Sequence, residues 1–217
     1  MRVQIACAGV VGCVVGVMVT VMAQNRPALN LVGDRFKPLT YEQMTPEQKQ
    51  LTDHILNSER KSMNGPFNAL LRSPEMGDLV QQLGAYIRFR TSLPHRLNEM
   101  AIIMTARQWT AQYEWYAHKT LALEAGLSPA IVDAIADGRK PASMKPDEEA
   151  IYNFCTELLN TRQVTDQTFQ TAVKAFGERG VVDLIGATGY YQLVSALLNV
   201  DRYPLPAGAK PELKALR

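Results

Sequence analysis

The stretch from residue 94 to residue 126, PHRLNEMAIIMTARQWTAQYEWYAHKTLALEAG, decides the fold of this chain. Between its first proline and its last glycine it contains neither residue type, so periodicity alone allows one continuous helix. In such a helix Glu99 and His118 would lie about 28 Å apart, because each residue adds about 1.5 Å. The alternative is a chain reversal near Thr110, with Thr110 as the N-cap of a second helix. Two antiparallel helices would bring Glu99 opposite Glu114 and His118, and this second geometry builds a pocket.

The segments on both sides of this stretch carry the signals of helices, and no alternating strand pattern of comparable length accompanies them. Thr45-Pro46 and Ser128-Pro129 are typical of helix starts. The last predicted helix is the most apolar, which indicates burial on several sides, in the core or at a subunit interface. The sequence therefore predicts an all-α domain. Besides the central stretch, the predicted helices cover residues 46–59, 67–72, 74–90, 129–138, 146–162, 166–177 and 181–200.

Length and charge limit the classes of function. The chain has 217 residues, which favours one domain with a sizeable core. Its formal net charge is +2, and no run of lysine or arginine is longer than two residues. No basic stripe is therefore present to neutralise a phosphate backbone, and we expect no nucleic-acid partner.

The N-terminus differs from the rest of the chain. Residues 3–25 carry no charge and are mostly apolar, and small residues stand around Ala23 where a signal peptidase cleaves. We predict an export signal over residues 1–23, and hence a periplasmic or secreted protein. An uncleaved membrane anchor is the alternative, because about 18 apolar residues can span a bilayer. A lipoprotein-like box ends at Cys13, but the apolar run continues well past it.

The cysteines and histidines predict neither a disulfide nor a metal site. Cys7 and Cys13 lie in the predicted signal, which leaves Cys155 alone in the mature chain. Cys155 has apolar neighbours at helical spacing, where a free cysteine is usually core filler. His54 and His95 stand on polar stretches, and we expect both at the surface. The three histidines have no ligand spacing, so we expect no metal and no cofactor.

The acidic and histidine residues of the central stretch belong to a wider pattern. Its members are Glu99, Glu114, His118, Gly65-Pro66-Phe67, the run LLRSPEM at 70–76, and Gly189-Tyr190. This pattern resembles the carboxymuconolactone decarboxylase family, whose fold the alkylhydroperoxidases share. In the peroxidase branch a Glu is followed by a CxxC pair and then a His, but Ala111 and Glu114 stand at the two cysteine positions here. A Glu four residues before the His is similar to the decarboxylase branch.

The resemblance implies an organisation and a chemistry. It covers residues 65–205 and implies a helical alkylhydroperoxidase-like bundle around an antiparallel central helix pair, assembled as a trimer or hexamer. It also implies cofactor-free acid/base chemistry on a small acid or lactone. Residues 24–64, with an extended arm over 24–44, and the tail 206–217 would flank this domain. An exported protein would not meet intermediates made in the cytosol, so the substrate is not carried over.

We predict Glu99, Glu114 and His118 as catalytic residues. Decarboxylation of a carboxylated lactone leaves an electron pair that spreads into the ring carbonyl, and the resulting carbanion must be protonated. We assign the proton to His118, whose ordinary pKa near 6.5 suits transfer at neutral pH. Glu99 or Glu114 would orient and tune it. The competing interpretation of Glu114 and His118 is a solvated pair one helical turn apart.

Four further residues are predicted to bind substrate. Arg107 lies eight residues after Glu99, about two turns away, and could hold a carboxylate by a bidentate fork. A surface arginine fits the sequence equally well. Tyr113, Trp115 and Tyr190 would wall the pocket and offer hydroxyl or indole donors, although aromatic residues at helical spacing are more often core.

The favoured function is a lyase, with decarboxylation first. An isomerase or a lactone hydrolase in the same pocket is the competing enzyme hypothesis. A non-catalytic protein that binds a small ligand or serves as a scaffold is the alternative from another class. A thiol peroxidase is disfavoured, since Cys155 has no partner cysteine.

Overall fold

The computed structural model describes residues 29–215, which form eight α-helices and one short 3-10 helix, with no strand in that range. The predicted all-α fold is confirmed. The predicted export signal, residues 1–23, lies outside the described residues. The 3-10 helix is Tyr41–Gln43. The α-helices are α1 (Pro46–Asn57), α2 (Phe67–Leu70), α3 (Pro74–Phe89), α4 (His95–Gln108), α5 (Gln112–Glu124), α6 (Pro129–Ala136), α7 (Pro146–Thr161) and α8 (Asp166–Asp201).

The helix starts follow the local signals in the sequence. Proline occupies the first position of α1, α3, α6 and α7, where its missing N–H costs no hydrogen bond. At α1, the Thr45 hydroxyl accepts from the backbone of Gln48, and the Gln48 side chain accepts from the backbone of Thr45. This reciprocal capping box satisfies two N–H groups that a helix start otherwise leaves unpaired.

The reversal between α4 and α5 is a closed turn in which Thr110 has a left-handed backbone, with φ of 48°. The Ala111 N–H donates to the Ala106 carbonyl at 2.9 Å, and the Thr110 N–H donates to the Arg107 carbonyl at 3.0 Å. These two bonds are those of a Schellman motif, which usually places glycine at the left-handed position. The predicted reversal is therefore present. The prediction of Thr110 as N-cap is wrong, because Ala111 holds that position and Thr110 closes the preceding helix.

α4 is the central helix, and it packs against α5, α7 and α8. One hydrophobic cluster lies between α4 and α7, with Leu97 and Phe154 almost fully buried. A second cluster joins α1, α3 and the C-terminal half of α8, and Ile102 of α4 belongs to it. Cys155 is fully buried in the first cluster, as core filler would be. Because α4 serves both clusters, its polar residues lie deep in the molecule.

α8 is interrupted at Gly177, whose φ of 70° and ψ of 170° are not helical. The break agrees with the prediction of two helices separated there. By length and composition α8 would suffice to cross a membrane, but 56% of its most apolar window is buried. It packs against α3, α4, α5 and α7, as the core helix of a bundle does.

Both ends of the described chain pack onto the helices. In the predicted arm, Leu31 and Leu39 lie against the second cluster, and the Phe36 N–H donates to Asp201 at 2.7 Å. In the predicted tail, Leu213 is 5% exposed and belongs to the first cluster. The Gln112 amide donates to the Leu213 carbonyl at 2.7 Å. Arm and tail are therefore parts of one packed unit with the central helices.

Candidate active site

The centre of the site is an imidazole held between two carboxylates. Nδ1 of His118 lies 2.7 Å from Oε2 of Glu99, and its Nε2 lies 3.1 Å from Oε1 of Glu114. Glu99 comes from α4, whereas Glu114 and His118 lie one turn apart on α5. Their exposed fractions are 0%, 4% and 5%. The solvated-pair interpretation is therefore wrong, because all three groups are buried and Glu99 bridges the helix pair.

The two carboxylates decide the charge of His118. Burial alone would lower its pKa, but the adjacent charges of Glu99 and Glu114 outweigh burial and raise the pKa to about 9. At neutral pH the ring is an imidazolium that donates one N–H to each carboxylate. His118 therefore has a proton to give near neutrality and is not available as a base, unlike an imidazole with the ordinary value near 6.5.

Aromatic rings and a second histidine surround this triad. The edge of the Tyr191 ring meets the His118 ring, with centroids 4.9 Å apart and planes at 77°. Nδ1 of His95 lies 3.9 Å from Oε1 of Glu99, and the His95 ring is 58% exposed, which confirms the predicted surface position. The triad is thus enclosed by rings on one side, with His95 between Glu99 and solvent.

A cavity of about 230 Å³ opens next to His118 and Glu114. This volume is below the roughly 300 to 1,000 Å³ of sites for drug-sized ligands, so it suits a small molecule. Its charged lining consists of Glu114, His118 and two arginines, Arg60 and Arg88. With the ring protonated, the cationic side chains outnumber the carboxylate at this wall, which favours an anionic occupant.

Arg60 and Tyr190 meet at the far wall of the cavity. Nη2 of Arg60 donates to the Tyr190 hydroxyl at 3.2 Å, and the guanidinium lies over the Phe67 ring at 5.1 Å. Because the hydroxyl accepts from Arg60, its own proton is left to point elsewhere. Gly84 of α3 makes the space, since a Cβ there would lie 2.0 Å from the Tyr190 oxygen and 2.4 Å from Nη2 of Arg60.

The structure separates the predicted substrate-binding residues into two groups. Tyr113 and Tyr190 line the cavity beside His118. Trp115 does not: it is 1% exposed in the first cluster, and its indole N–H donates to Glu212 at 3.1 Å. The physical reason is that Trp115 follows Glu114 by one residue, so its side chain points about 100° away around the helix.

Arg107 also lies away from this cavity, at a second one. Eight residues turn a helix by about 80° more than two full turns and advance it by about 12 Å. Arg107 therefore faces a different side of α4 from Glu99, and it is not retained as a substrate-binding residue at the cavity beside His118.

Arg60 and Arg88 are charged lining residues of this cavity that sequence reasoning missed. Arg60 belongs to the loop after α1, and Arg88 to the last turn of α3. Neither belongs to a motif. One indirect signal was present, because Gly65-Pro66-Phe67 belongs to the family-like pattern and lines the same cavity five residues after Arg60.

Comparison with known proteins supports the fold alone. No family model matches the chain, and no curated protein matches it. Among solved structures, it is similar to that of a protein of unknown function from Agrobacterium tumefaciens, described as a candidate antioxidant defence protein AhpD. The TM-score is 0.53 at 18% identity, covering 65% of this chain and 99% of the other. This chain therefore has an all-helical AhpD-like fold.

Proposed function

We propose that this protein is a cofactor-free acid/base enzyme of the carboxymuconolactone decarboxylase-like type, acting on a small organic acid or lactone. The observation that carries the proposal is the buried Glu99, His118 and Glu114 triad at the wall of a small cavity. Two buried carboxylates around one imidazolium are costly to assemble, and such arrangements of shifted pKa values concentrate at catalytic sites.

Decarboxylation is the favoured reaction, since the cavity offers a group for each step. The guanidinium groups of Arg60 and Arg88 attract a substrate carboxylate. As the bond to that carboxylate breaks, carbon dioxide leaves and the electron pair moves into the conjugated carbonyl to give an enolate. Tyr190 and Tyr113 are hydroxyl donors for the enolate oxygen, because burial raises the pKa of both and keeps them protonated.

The proton for the carbanion comes from His118. Its Nε2–H points at Glu114, which also lines the cavity, so the proton passes from Nε2 to the Glu114 carboxyl group and from there to the substrate carbon. Glu99 holds the opposite ring nitrogen and fixes the ring orientation. In the product a proton replaces carbon dioxide. A second proton, from solvent, then restores the imidazolium of His118.

An isomerase or a lactone hydrolase would use the same groups without loss of carbon dioxide. A non-catalytic binding protein would use the arginines and need no titrating triad. A thiol peroxidase stays disfavoured, because Ala111 and Glu114 stand at the cysteine positions and burial raises the pKa of the Cys155 thiol to about 12. A thiolate is the nucleophile in such chemistry.

The proposal includes a homo-oligomer, a trimer or a hexamer. Large apolar side chains are exposed along one face of α3, at Met76, Leu79 and Leu83, and on α8 at Val182 and Ile185. The two helices are neighbours. Exposed apolar residues grouped in this way are typical of interaction surfaces. Export to the periplasm or the medium is also part of the proposal and depends on residues 1–23.

The test is a substrate screen with the purified full chain. Small unsaturated lactone carboxylates and related acids are incubated in deuterated water, and carbon dioxide and product structure are followed by mass spectrometry and NMR. We expect carbon dioxide release with one deuterium placed on a carbon of the conjugated enolate that decarboxylation leaves. The variants His118→Ala and Glu114→Gln should lose this turnover while circular dichroism shows unchanged helix content.

The same experiment separates the alternatives. An isomerised or ring-opened product without carbon dioxide would replace the lyase by an isomerase or a hydrolase. Binding of the acids without any product, equal in wild type and His118→Ala, would favour the non-catalytic alternative. Unchanged turnover in His118→Ala would remove the assignment of His118.

A further inference from the structure

A second cavity, of about 360 Å³, lies on the side of α4 where Arg107 points. Its walls come from α4, from the end of α6 with the residues that follow it, and from α7. None of its lining residues belongs to the cavity beside His118. An occupant would therefore contact no residue of the proposed acid/base site.

The main polar group of this second cavity is a buried arginine, and two of its guanidinium nitrogens lack hydrogen-bond partners among residues 29–215. Arg107 is 6% exposed, and neither its Nε nor its Nη1 has a hydrogen-bond partner among residues 29–215. Burial of an unpaired cation is expensive, and native proteins rarely leave buried N–H donors unpaired. The cost appears as a pKa of Arg107 that burial lowers. An anion bound at the guanidinium would remove most of this cost.

The charges nearby leave the cavity with an excess of positive charge. Arg139 also lines it, but its guanidinium is bonded to Asp137 at 2.8 Å. Asp137 also attracts Arg107 from a distance, without a hydrogen bond between the two side chains. Lys214 acts on the same carboxylate, so Asp137 is shared by three cations and does not neutralise Arg107. The cavity therefore matches an anion.

The remaining wall is partly apolar. Met104 from α4, Ile135 from α6 and Leu159 from α7 line the cavity together with Arg107. An inorganic anion would leave these side chains without a partner, whereas a carboxylate with a short hydrocarbon body would cover them. The planar guanidinium fork also matches the two oxygens of a carboxylate.

We propose that the cavity at Arg107 binds a small organic monocarboxylate. Its oxygens accept hydrogen bonds from the Arg107 guanidinium, and its hydrocarbon body packs against Met104, Ile135 and Leu159. This ligand site is separate from the cavity beside His118 and does not depend on the function proposed for that cavity.

The test is an NMR titration of the full chain with hexanoate, reading the side-chain Nε–H signal of Arg107. The signal is assigned by its absence in Arg107→Lys. We expect a saturable shift with hexanoate and none with hexanamide, which has the same body without the charge. Hexanoate should bind at least tenfold more tightly than inorganic phosphate, because phosphate leaves the apolar wall uncovered.

Two variants separate this cavity from the one beside His118. Arg107→Met should weaken hexanoate binding at this site by about 10- to 100-fold, the loss expected for charge-assisted hydrogen bonds. It is measured on the methyl signals of Ile135 and Leu159. Arg60→Gln should leave the Arg107 response unchanged. The proposal is overturned if hexanoate does not shift the Arg107 signal. That result is expected if a carboxylate of the chain itself already occupies the site. An equal response to hexanamide or to phosphate would also overturn it.

Discussion

The cavities beside His118 and beside Arg107 each contain a buried cation, and they differ in how its charge is compensated. His118 lies between two carboxylates at 2.7 and 3.1 Å, whereas Nε and Nη1 of Arg107 have no hydrogen-bond partner among residues 29–215. A cation that is neutralised by the protein keeps its geometry and its proton without a ligand. An uncompensated cation gains most of its stabilisation from a ligand. The first arrangement suits catalysis and the second suits binding.

The largest expected effect is the loss of the cation between Glu99 and Glu114. In His118→Ala the two buried carboxylates face each other without compensation, and removing one partner of a buried ion pair costs about 3 to 5 kcal/mol. Urea unfolding at pH 7 measures this loss. His54→Ala is the matched control, since the His54 ring is 48% exposed beside Asp78 and should matter by less than about 1 kcal/mol. Equal stability of the two variants would contradict the claim that His118 compensates the buried charges of Glu99 and Glu114.

The second prediction concerns pH. The pKa of His118 rises from 6.5 to about 9 in the folded chain, so the folded state holds the proton more tightly than the unfolded state. The resulting stabilisation is complete below pH 6.5 and is lost as pH rises to about 9. At about 1.4 kcal/mol per unit it is on the order of 3 kcal/mol. Urea midpoints across this range should fall in wild type but much less in His118→Ala. A parallel decline of the urea midpoints in both proteins would disprove the assignment of this pH dependence to His118.

Arg107→Met should have the opposite sign to His118→Ala. Replacing an unpaired buried donor with an apolar side chain of similar length removes its desolvation cost, and is expected to stabilise the protein by about 1 to 3 kcal/mol in anion-free buffer. Addition of hexanoate should narrow the difference in stability between Arg107→Met and wild type, because ligand binding stabilises the wild type alone. Thermal unfolding of both proteins with and without hexanoate tests this. Marked destabilisation by Arg107→Met would mean that the chain itself supplies the missing anion.

The smallest effect is expected at Gly84. In Gly84→Ala the new methyl group must displace both Arg60 and the end of the Tyr190 ring. Binding of small carboxylates beside His118 should therefore weaken about tenfold, the equivalent of one charge-assisted hydrogen bond. Stability should change little, because alanine favours the helix by about 1 kcal/mol and offsets the crowding. Shifts of the His118 ring signals measure the affinity. Gly189→Ala is the control, since no atom lies within 4 Å of its Cβ position.

Short-range patterns in the sequence were sufficient for the helices and for two members of the triad, Glu114 and His118. Proline at the first helical position, after Thr45, Ser128 and Lys145, placed α1, α6 and α7 within a residue or two, because helix starts depend on neighbouring residues. Glu114 and His118 share a helix face by their spacing. The prediction that Glu99 lies opposite Glu114 and His118 needed the family-like pattern, since a threonine in a left-handed turn gives no local signal of chain reversal.

The rest of the site depends on tertiary contacts that short-range patterns do not encode. Arg60 reaches the cavity from a loop 130 residues away from Tyr190, and only the absence of a side chain at Gly84 permits their contact. Arg107 was predicted to line the cavity beside His118 because it lies about two helical turns after Glu99. Eight residues exceed two turns by a rotation of about 80°, so Arg107 faces another cavity. Rotation about a helix axis decides which core a side chain enters.

The meeting of Arg60 and Tyr190 also has a consequence for the order in which the protein is assembled. The contact between Glu99 and His118 closes a loop of 19 residues, whereas that between Arg60 and Tyr190 spans 130. The longer closure costs about 2 kcal/mol more chain entropy. A folding intermediate with α4 and α5 paired would thus already hold the proton donor. The cavity wall that contains Arg88 and Tyr190 would form only when α3 and α8 have docked. The proposed proton donor would therefore be in place before the proposed substrate-binding groups.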